Sequence, residues 1–165
     1  MNIQALHKAI HDDTLDVLRR KNNDYTVGKG EADVFANFKH SEILGISAGT
    51  GIMVRMIDKH QRIRTFVTKG TLQVLNESVR DAIMDLHNYT ALLHGWHHGC
   101  KTLEQLIEVR KILYDNASTL LVNPLIPEIP DLLSKAEQSM SSRVDTIMLL
   151  AIYTKIAYKI QEIQK

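Results

Sequence analysis

The sequence predicts an all-α protein, a bundle of about five to seven helices with a four-helix core and further C-terminal helices. Apolar residues recur at helical spacing along most of the chain, and no stretch keeps the alternation of a strand. The three prolines all lie between Pro124 and Pro130. Because proline lacks an amide donor and restricts its predecessor, this segment separates two helical regions.

Each predicted helix is recognised by its apolar spacing and by its end signals. The first carries Ile3, Leu6 and Ile10 on one face. Ser47 is a candidate N-cap for the third helix, and Asn76 is one for the fourth. Glycines that follow apolar runs mark helix ends. The predicted helices cover residues 2–23, 31–45, 47–70, 71–99, 101–121 and 129–165.

The composition is that of a globular domain without a strong charge. Of the 165 residues, 44% are hydrophobic and 24% charged, and the net charge is +1. A general nucleic-acid coat or a polybasic membrane module needs a basic excess, so neither class is expected. A local basic pocket for a small phosphorylated ligand stays possible.

The single cysteine, Cys100, excludes an intrachain disulfide and favours a reducing compartment. The N-terminal residues lack the apolar stretch of a signal peptide, and no window resembles a membrane-spanning helix. We therefore expect a cytoplasmic protein.

Two segments of the chain resemble each other. Asp81–Thr90 and Asp145–Thr154 share Asp, Ile-Met, Leu and Tyr-Thr at the same spacing. This pattern indicates a decayed duplication, or else two amphipathic helices that use the same residue types. Where the first copy has Asp85 and Asn88, the second has Leu149 and Ile152, so the second copy is expected to pack.

An acidic stripe follows the predicted fourth helix. Glu77, Asp81 and Asp85 recur every four residues, and Asn88 continues the same face. Stacked carboxylates repel one another by roughly 0.2–0.5 kcal/mol per pair unless water or a shared cation separates them. Mg²⁺ takes oxygen ligands, so a shared Mg²⁺ would turn this net repulsion between the carboxylates into a net attraction to the ion. The alternative is a solvated acidic face near a helix N-terminus.

A basic stripe on the predicted third helix accompanies the acidic one. Arg55, Lys59 and Arg62 can point the same way, with Asp58 beside them. Arginine binds phosphate with two donors, and lysine adds a compact charge. We expect the two stripes to face each other across a shared cleft; the alternative is a set of surface salt bridges.

Two other groups of polar residues carry weaker signals. The loop after Lys21 holds Gly28 and Gly30 but matches neither nucleotide-binding glycine fingerprint. The histidines of the fourth helix lack the spacing of a known zinc motif. His87, His94, His97 and His98 are therefore interpreted as cations at a partly exposed helix C-terminus.

The order of several short motifs resembles a known family. The chain has Lys21-x-x-Asp24-Tyr25, then Asn37-Phe38, then Arg55-Met56-x-Asp58-Lys59-x-x-Arg62-Ile63, then Glu77-Ser78-x-x-Asp81-x-x-x-Asp85-Leu86-x-Asn88-Tyr89. Together they resemble the nucleotide modification associated domain, type one, a domain frequent in bacteriophages. The match covers roughly residues 5–95. A more distant similarity is to the all-α NTP pyrophosphatases of the MazG-like type.

This resemblance implies a helical core over residues 1–99 and a C-terminal helical extension over 100–165, packed on the same domain; one interpretation of the extension is a degenerate repeat. If a bacteriophage encodes the protein, the expected location is the host cytoplasm. The resemblance also implies a nucleotide ligand. We expect a Mg²⁺-dependent enzyme that hydrolyses a nucleoside triphosphate or a modified nucleotide, with a metal-bound water as nucleophile. The candidate metal ligands are Glu77, Asp81, Asp85 and Asp58, and the candidate catalytic residues are Asp81, Asp85 and Lys59.

Other residues of these motifs are candidates for holding the ligand. Basic side chains would neutralise the phosphates, aromatic rings would stack on the base, and amides would read its edge. The candidate ligand-binding residues are Lys21, Asp24, Tyr25, Asn37, Phe38, Arg55, Arg62, Asn88 and Tyr89. The alternatives are a non-catalytic protein that sequesters a nucleotide or nucleotide-derived signal, and a helical scaffold of a modification complex. In each case a homo-oligomer is expected.

Overall fold

The computed structural model describes residues 1–26, 33–69, 79–123, 125–141 and 144–164. Seven α-helices and one 3₁₀ turn account for most of these residues, which confirms the all-α prediction. No strand occurs in the described ranges. The elements are α1 Ile3–Thr26, α2 Ala36–Lys39, the 3₁₀ turn His40–Leu44, α3 Ala48–Lys69, α4 Val79–His97, α5 Leu103–Thr119, α6 Ile129–Ser141 and α7 Thr146–Ile163.

The ends of several helices agree with the local chemistry. Ser47 caps α3, because its hydroxyl accepts a hydrogen bond from the amide of Thr50 at 3.1 Å. Thr102 and Gln105 form a reciprocal capping box at the start of α5. Gly45, at φ 71°, ends the 3₁₀ turn in the left-handed region that favours glycine. The predicted cap Asn76 lies outside the described residues.

The single helix predicted over residues 129–165 is wrong, because the chain forms two helices there. The last helix begins after Asp145, whose carboxylate accepts a hydrogen bond from the amide of Met148 at 3.0 Å. Such a cap satisfies an amide that has no partner within the helix. α6 and α7 can then pack against each other instead of continuing in line.

α4 lies at the centre of the bundle, where it contacts α1, α3, α5 and α7. The core draws on both ends of the chain, since Leu6 and Ile10 of α1 belong to the same apolar cluster as Ile156 and Ile160 of α7. Burial of such side chains is the main stabilising contribution to a fold of this type. None of the described helices combines the length and the apolar content needed to cross a bilayer.

The two similar segments form the first halves of α4 and α7, which pack on each other. Leu149 and Ile152 are 0% and 2% exposed, so the second copy packs as expected. The matching positions of α4, Asp85 and Asn88, are only half buried. One copy therefore supplies core and the other supplies polar groups at a surface.

Candidate functional site

A cleft opens between α1, the segment 33–38 and α4. Its volume is about 140 Å³, similar to the ~150 Å³ of an engineered apolar cavity that admits benzene. The space therefore suits one planar ring. The lining residues are Val17, Leu18, Lys21, Asn22, Asp33, Val34, Ala36, Asn37, Phe38, Asp85, Asn88, Tyr89 and Leu92.

The segment 33–38 is held in place by three anchors. The amide of Val34 donates to the carbonyl of Lys101 at 3.0 Å, just before α5. Asp33 accepts from the amide of Phe35 at 2.9 Å and pairs with Lys39. The Phe35 ring is buried edge-on against Trp96, with centroids 5.3 Å apart. These contacts place Asn37 and Phe38, two and three residues after Phe35, at the cleft.

α4 contributes one face of the cleft. Asp85, Asn88, Tyr89 and Leu92 recur at i, i+3, i+4 and i+7, which puts them on one side of a helix. The rings of Phe38 and Tyr89 meet edge to face, at 6.2 Å and 86°. This is a preferred aromatic geometry. The two rings give the cleft a defined apolar wall.

The basic stripe of α3 reaches the cleft through Lys59. Its ammonium lies 2.7 Å from the Asp85 carboxylate, and the two side chains are 21% and 25% exposed. The pair thus joins α3 to α4 at the edge of the cleft. The other members of the two predicted stripes are exposed and do not line the cleft; they are Arg55, Asp58, Arg62 and Asp81.

A buried arginine lies behind α4. Arg110 of α5 is 3% exposed, and its guanidinium donates to the Thr14 carbonyl at 3.3 Å and the Thr14 hydroxyl at 2.6 Å. It also donates to Oδ1 of Asn88 at 3.3 Å, while its Nε has no partner. No carboxylate in the described ranges forms a salt bridge with it.

Arg110 remains positively charged although it is buried. Burial, together with the nearby charge of Arg19, lowers the pKa of Arg110 to about 10. The guanidinium therefore stays protonated at neutral pH. Since a buried charge usually has an opposite partner, a buried cation without a carboxylate partner in the described ranges is an unusual feature.

The structure brings six of the predicted ligand-binding and catalytic residues together in the cleft, and a seventh contacts one of these six. Lys59 is the seventh, through its ion pair with Asp85. Asp24 and Tyr25 belong to the last turn of α1, but their side chains lie outside the described part of the chain, as does Glu77. The six that line the cleft are Lys21, Asn37, Phe38, Asp85, Asn88 and Tyr89.

A metal site is not assembled by the described residues. In these ranges, no three His, Cys, Asp or Glu side chains lie close enough together to hold an ion. Glu77 is not among the residues that this covers, so the predicted set of Glu77, Asp81 and Asp85 stays a prediction. Within the described set, the cleft's own Asp85 is already paired with a lysine.

The interpretation of His87 and His94 as partly exposed cations is wrong. Both are buried, at 3% and 7% exposure. Burial lowers the pKa of His94 to about 4 and sets the pKa of His87 well below its ordinary value. His94 instead forms a 2.7 Å hydrogen bond with the Thr146 hydroxyl. Only His97 and His98 are exposed at this helix end.

Arg110 is the main site residue that the sequence patterns missed. It lies on the apolar face of α5, between Leu106 and Leu113, where all three side chains are buried. An arginine in line with apolar residues, four after one and three before the next, is a usable signal of a buried cation. It lies beyond the segment with family-like motifs.

The chain was compared with known proteins at three levels. The family resemblance of residues 5–95 is not tested by these comparisons and stays a prediction. No family model matches the chain, and neither the curated proteins nor the solved structures include a significant match to it.

Proposed function

We propose that the cleft binds a nucleotide, with the base between Phe38, Tyr89 and Leu92 and the phosphates towards Lys21 and Lys59. The observation that carries the proposal is the combination of an aromatic wall, three amides and Lys21 in a single cleft whose two carboxylates are already paired with lysines. Ligand sites typically pair a mostly apolar surface with a few convergent polar groups.

The charge balance of the cleft favours an anion. The two carboxylates among its described lining residues are each paired, Asp33 with Lys39 and Asp85 with Lys59. Lys21 and the buried Arg110 are left without a carboxylate partner in the described ranges. Two positive charges near an aromatic pocket of one-ring size match a base that carries phosphate.

Binding without turnover is the function that the geometry supports best. Asp85, the one predicted metal ligand in the cleft, already has the Lys59 ammonium at 2.7 Å, and a cation there would have to displace it. Hydrolysis is the second candidate. It is favoured by the placement of Asp81 one turn before Asp85 on α4, from which Glu77 could complete an acidic set.

A melting experiment tests the proposal. We expect a nucleotide at a hundredfold excess over its Kd to stabilise the protein by about 2.7 kcal/mol, raising Tm by roughly 5–10 °C. The panel consists of ribo- and deoxyribonucleoside triphosphates, with and without Mg²⁺. Product analysis separates the two candidates, because intact ligand supports binding and released phosphate or pyrophosphate supports hydrolysis. No shift with any nucleotide would overturn the proposal.

Replacing Lys21 by Gln is expected to weaken nucleotide binding about tenfold, because a charge-assisted contact with phosphate is lost; tenfold corresponds to about 1.4 kcal/mol. Lys8→Gln is the matched control, since Lys8 is an exposed lysine of the same helix whose partner is Asp12. Calorimetry of both variants checks the result. Equal losses would show that net charge, and not the cleft, governs binding.

A further inference from the structure

We infer that Arg110 fixes the orientation of the Asn88 amide, so that Asn88 selects a base with a carbonyl oxygen at the edge that faces it. This inference rests on the proposed function and adds a specificity-determining residue and a residue that positions it. Asn88 would contact the ligand. Arg110 would position Asn88 without itself contacting the ligand.

The donor chemistry of Arg110 determines which end of the amide faces it. A guanidinium has five N–H donors and no acceptor. The Asn88 atom that lies 3.3 Å from it must therefore be the oxygen, as the structure has it. The usual ambiguity between amide oxygen and nitrogen is thus removed at this position.

The amide nitrogen of Asn88 is left for the cleft. Asn88 lines the cleft and is half buried, and its nitrogen has no hydrogen-bond partner among the described residues. Because the amide is planar, its N–H₂ group lies on the side away from the oxygen that Arg110 holds. Asn88 therefore offers its N–H₂ donors to a ligand, while its oxygen is turned towards Arg110.

Arg110 is held firmly in its position next to Asn88. It is buried, and two of its other contacts go to Thr14 of α1. The guanidinium therefore joins α1, α4 and α5 at one point. If Asn88 turned its nitrogen inward, two donors would face each other in a buried place and neither would have an acceptor, which is unfavourable. The fold thus supports a single amide orientation.

A base that presents an amino group to Asn88 would place one hydrogen-bond donor opposite another, the N–H₂ group of Asn88. A base that presents a carbonyl oxygen would complete the hydrogen bond. Sites that hydrogen-bond a ligand group discriminate against analogues that leave buried polar groups unpaired. We expect the carbonyl-bearing ligand of a matched pair to bind at least about tenfold more tightly.

Two matched pairs of nucleotides test this selection. ITP differs from ATP, and UTP from CTP, by a carbonyl oxygen in place of an amino group and by a proton on the neighbouring ring nitrogen. Calorimetry gives the Kd ratio within each pair. The wild-type protein should favour ITP or UTP at least tenfold in one pair or both. Asn88→Asp, which presents oxygen to the cleft, should abolish or invert that ratio.

Variants of Arg110 test the positioning role. Arg110→Met removes the donors but keeps an apolar stem, so the Asn88 amide is free to rotate and the ratio should fall towards one. Arg110→Lys, which still offers only donors, should preserve part of the ratio. Arg64→Met is the control, because Arg64 pairs with Glu137 and does not line the cleft; its ratio should match the wild type.

The outcomes separate this inference from the proposed function. If no nucleotide binds, both are overturned. If the nucleotides bind with equal affinity, or ATP and CTP bind more tightly, the inference alone is overturned. A folded Arg110→Met variant with an unchanged ratio would also overturn it. If circular dichroism shows that variant unfolded, the comparison of wild type with Asn88→Asp decides the inference.

Discussion

Acidification from pH 7 to about pH 4 is expected to destabilise the protein strongly, through histidines that are held neutral in the fold. Burial is the largest cause in each case. It lowers the pKa of His11 and His94 to about 4, His11 also being affected by the charge of Arg110. The pKa values of three more histidines are lowered as well; they are His7, His60 and His87.

The direction of this pH dependence follows from the number of protons that the folded and unfolded states bind. Below the ordinary histidine value of about 6.5, the unfolded chain binds protons that the folded chain does not. The contribution of these histidines to stability is therefore fully present above pH 6.5. For His11 and His94 it is lost as the pH falls towards their folded pKa values of about 4. Each of these two histidines adds about 1.4 kcal/mol per pH unit to the slope in that range.

Urea unfolding at a series of pH values between about 4 and 7 measures this slope. His94→Gln should reduce it by about 1.4 kcal/mol per pH unit, since one proton fewer is taken up on unfolding. His97→Gln is the matched control, because His97 is an exposed histidine of the same helix. A stability that is flat from pH 7 to pH 4 would contradict the prediction.

Replacement of Leu149 by Asp is expected to destabilise the protein by more than about 4 kcal/mol, or to prevent folding. The change restores in α7 the residue that α4 carries at the matching position, Asp85. Leu149 is 0% exposed within the apolar cluster, so the new carboxylate would have to be buried without a partner or protonated.

Chemical denaturation and circular dichroism measure this effect. Met148→Asp is the control on the same helix, because Met148 is 37% exposed and lies in the first turn, where a negative charge is favoured. We expect it to change stability by no more than about 0.5 kcal/mol. A well-folded Leu149→Asp protein would show that the second copy still tolerates the polar pattern of the first.

The fold could be predicted from the sequence because its helices carry long apolar stripes and clear end signals. Ser47 caps α3 where the pattern places it, and Gly45 ends the preceding turn. The break before α7 was missed because Asp145 sits between two apolar runs that are in themselves compatible with one helix. Its role as a cap depends on how α6 and α7 pack.

The site was only partly predictable. The order of the motifs led to Lys21, Asn37 and Asn88, which lie on three different elements yet meet in one cleft. Spacing alone did not show which side of α4 would stay open, since that helix has four neighbours. Two of the three basic residues of the stripe, Arg55 and Arg62, are consequently solvent-exposed, and Arg110 was missed because its contacts are long-range.

Because the charge of Arg110 is buried, its attraction for an anion should depend little on ionic strength. Mobile salt ions screen exposed charges within about 8 Å at 0.15 M, whereas buried charges are screened much less. The pull of Lys21 on an anion should therefore fade as salt is added, while that of Arg110 persists. A small anion would then be retained in concentrated electrolyte that strips ligands from purely superficial basic patches.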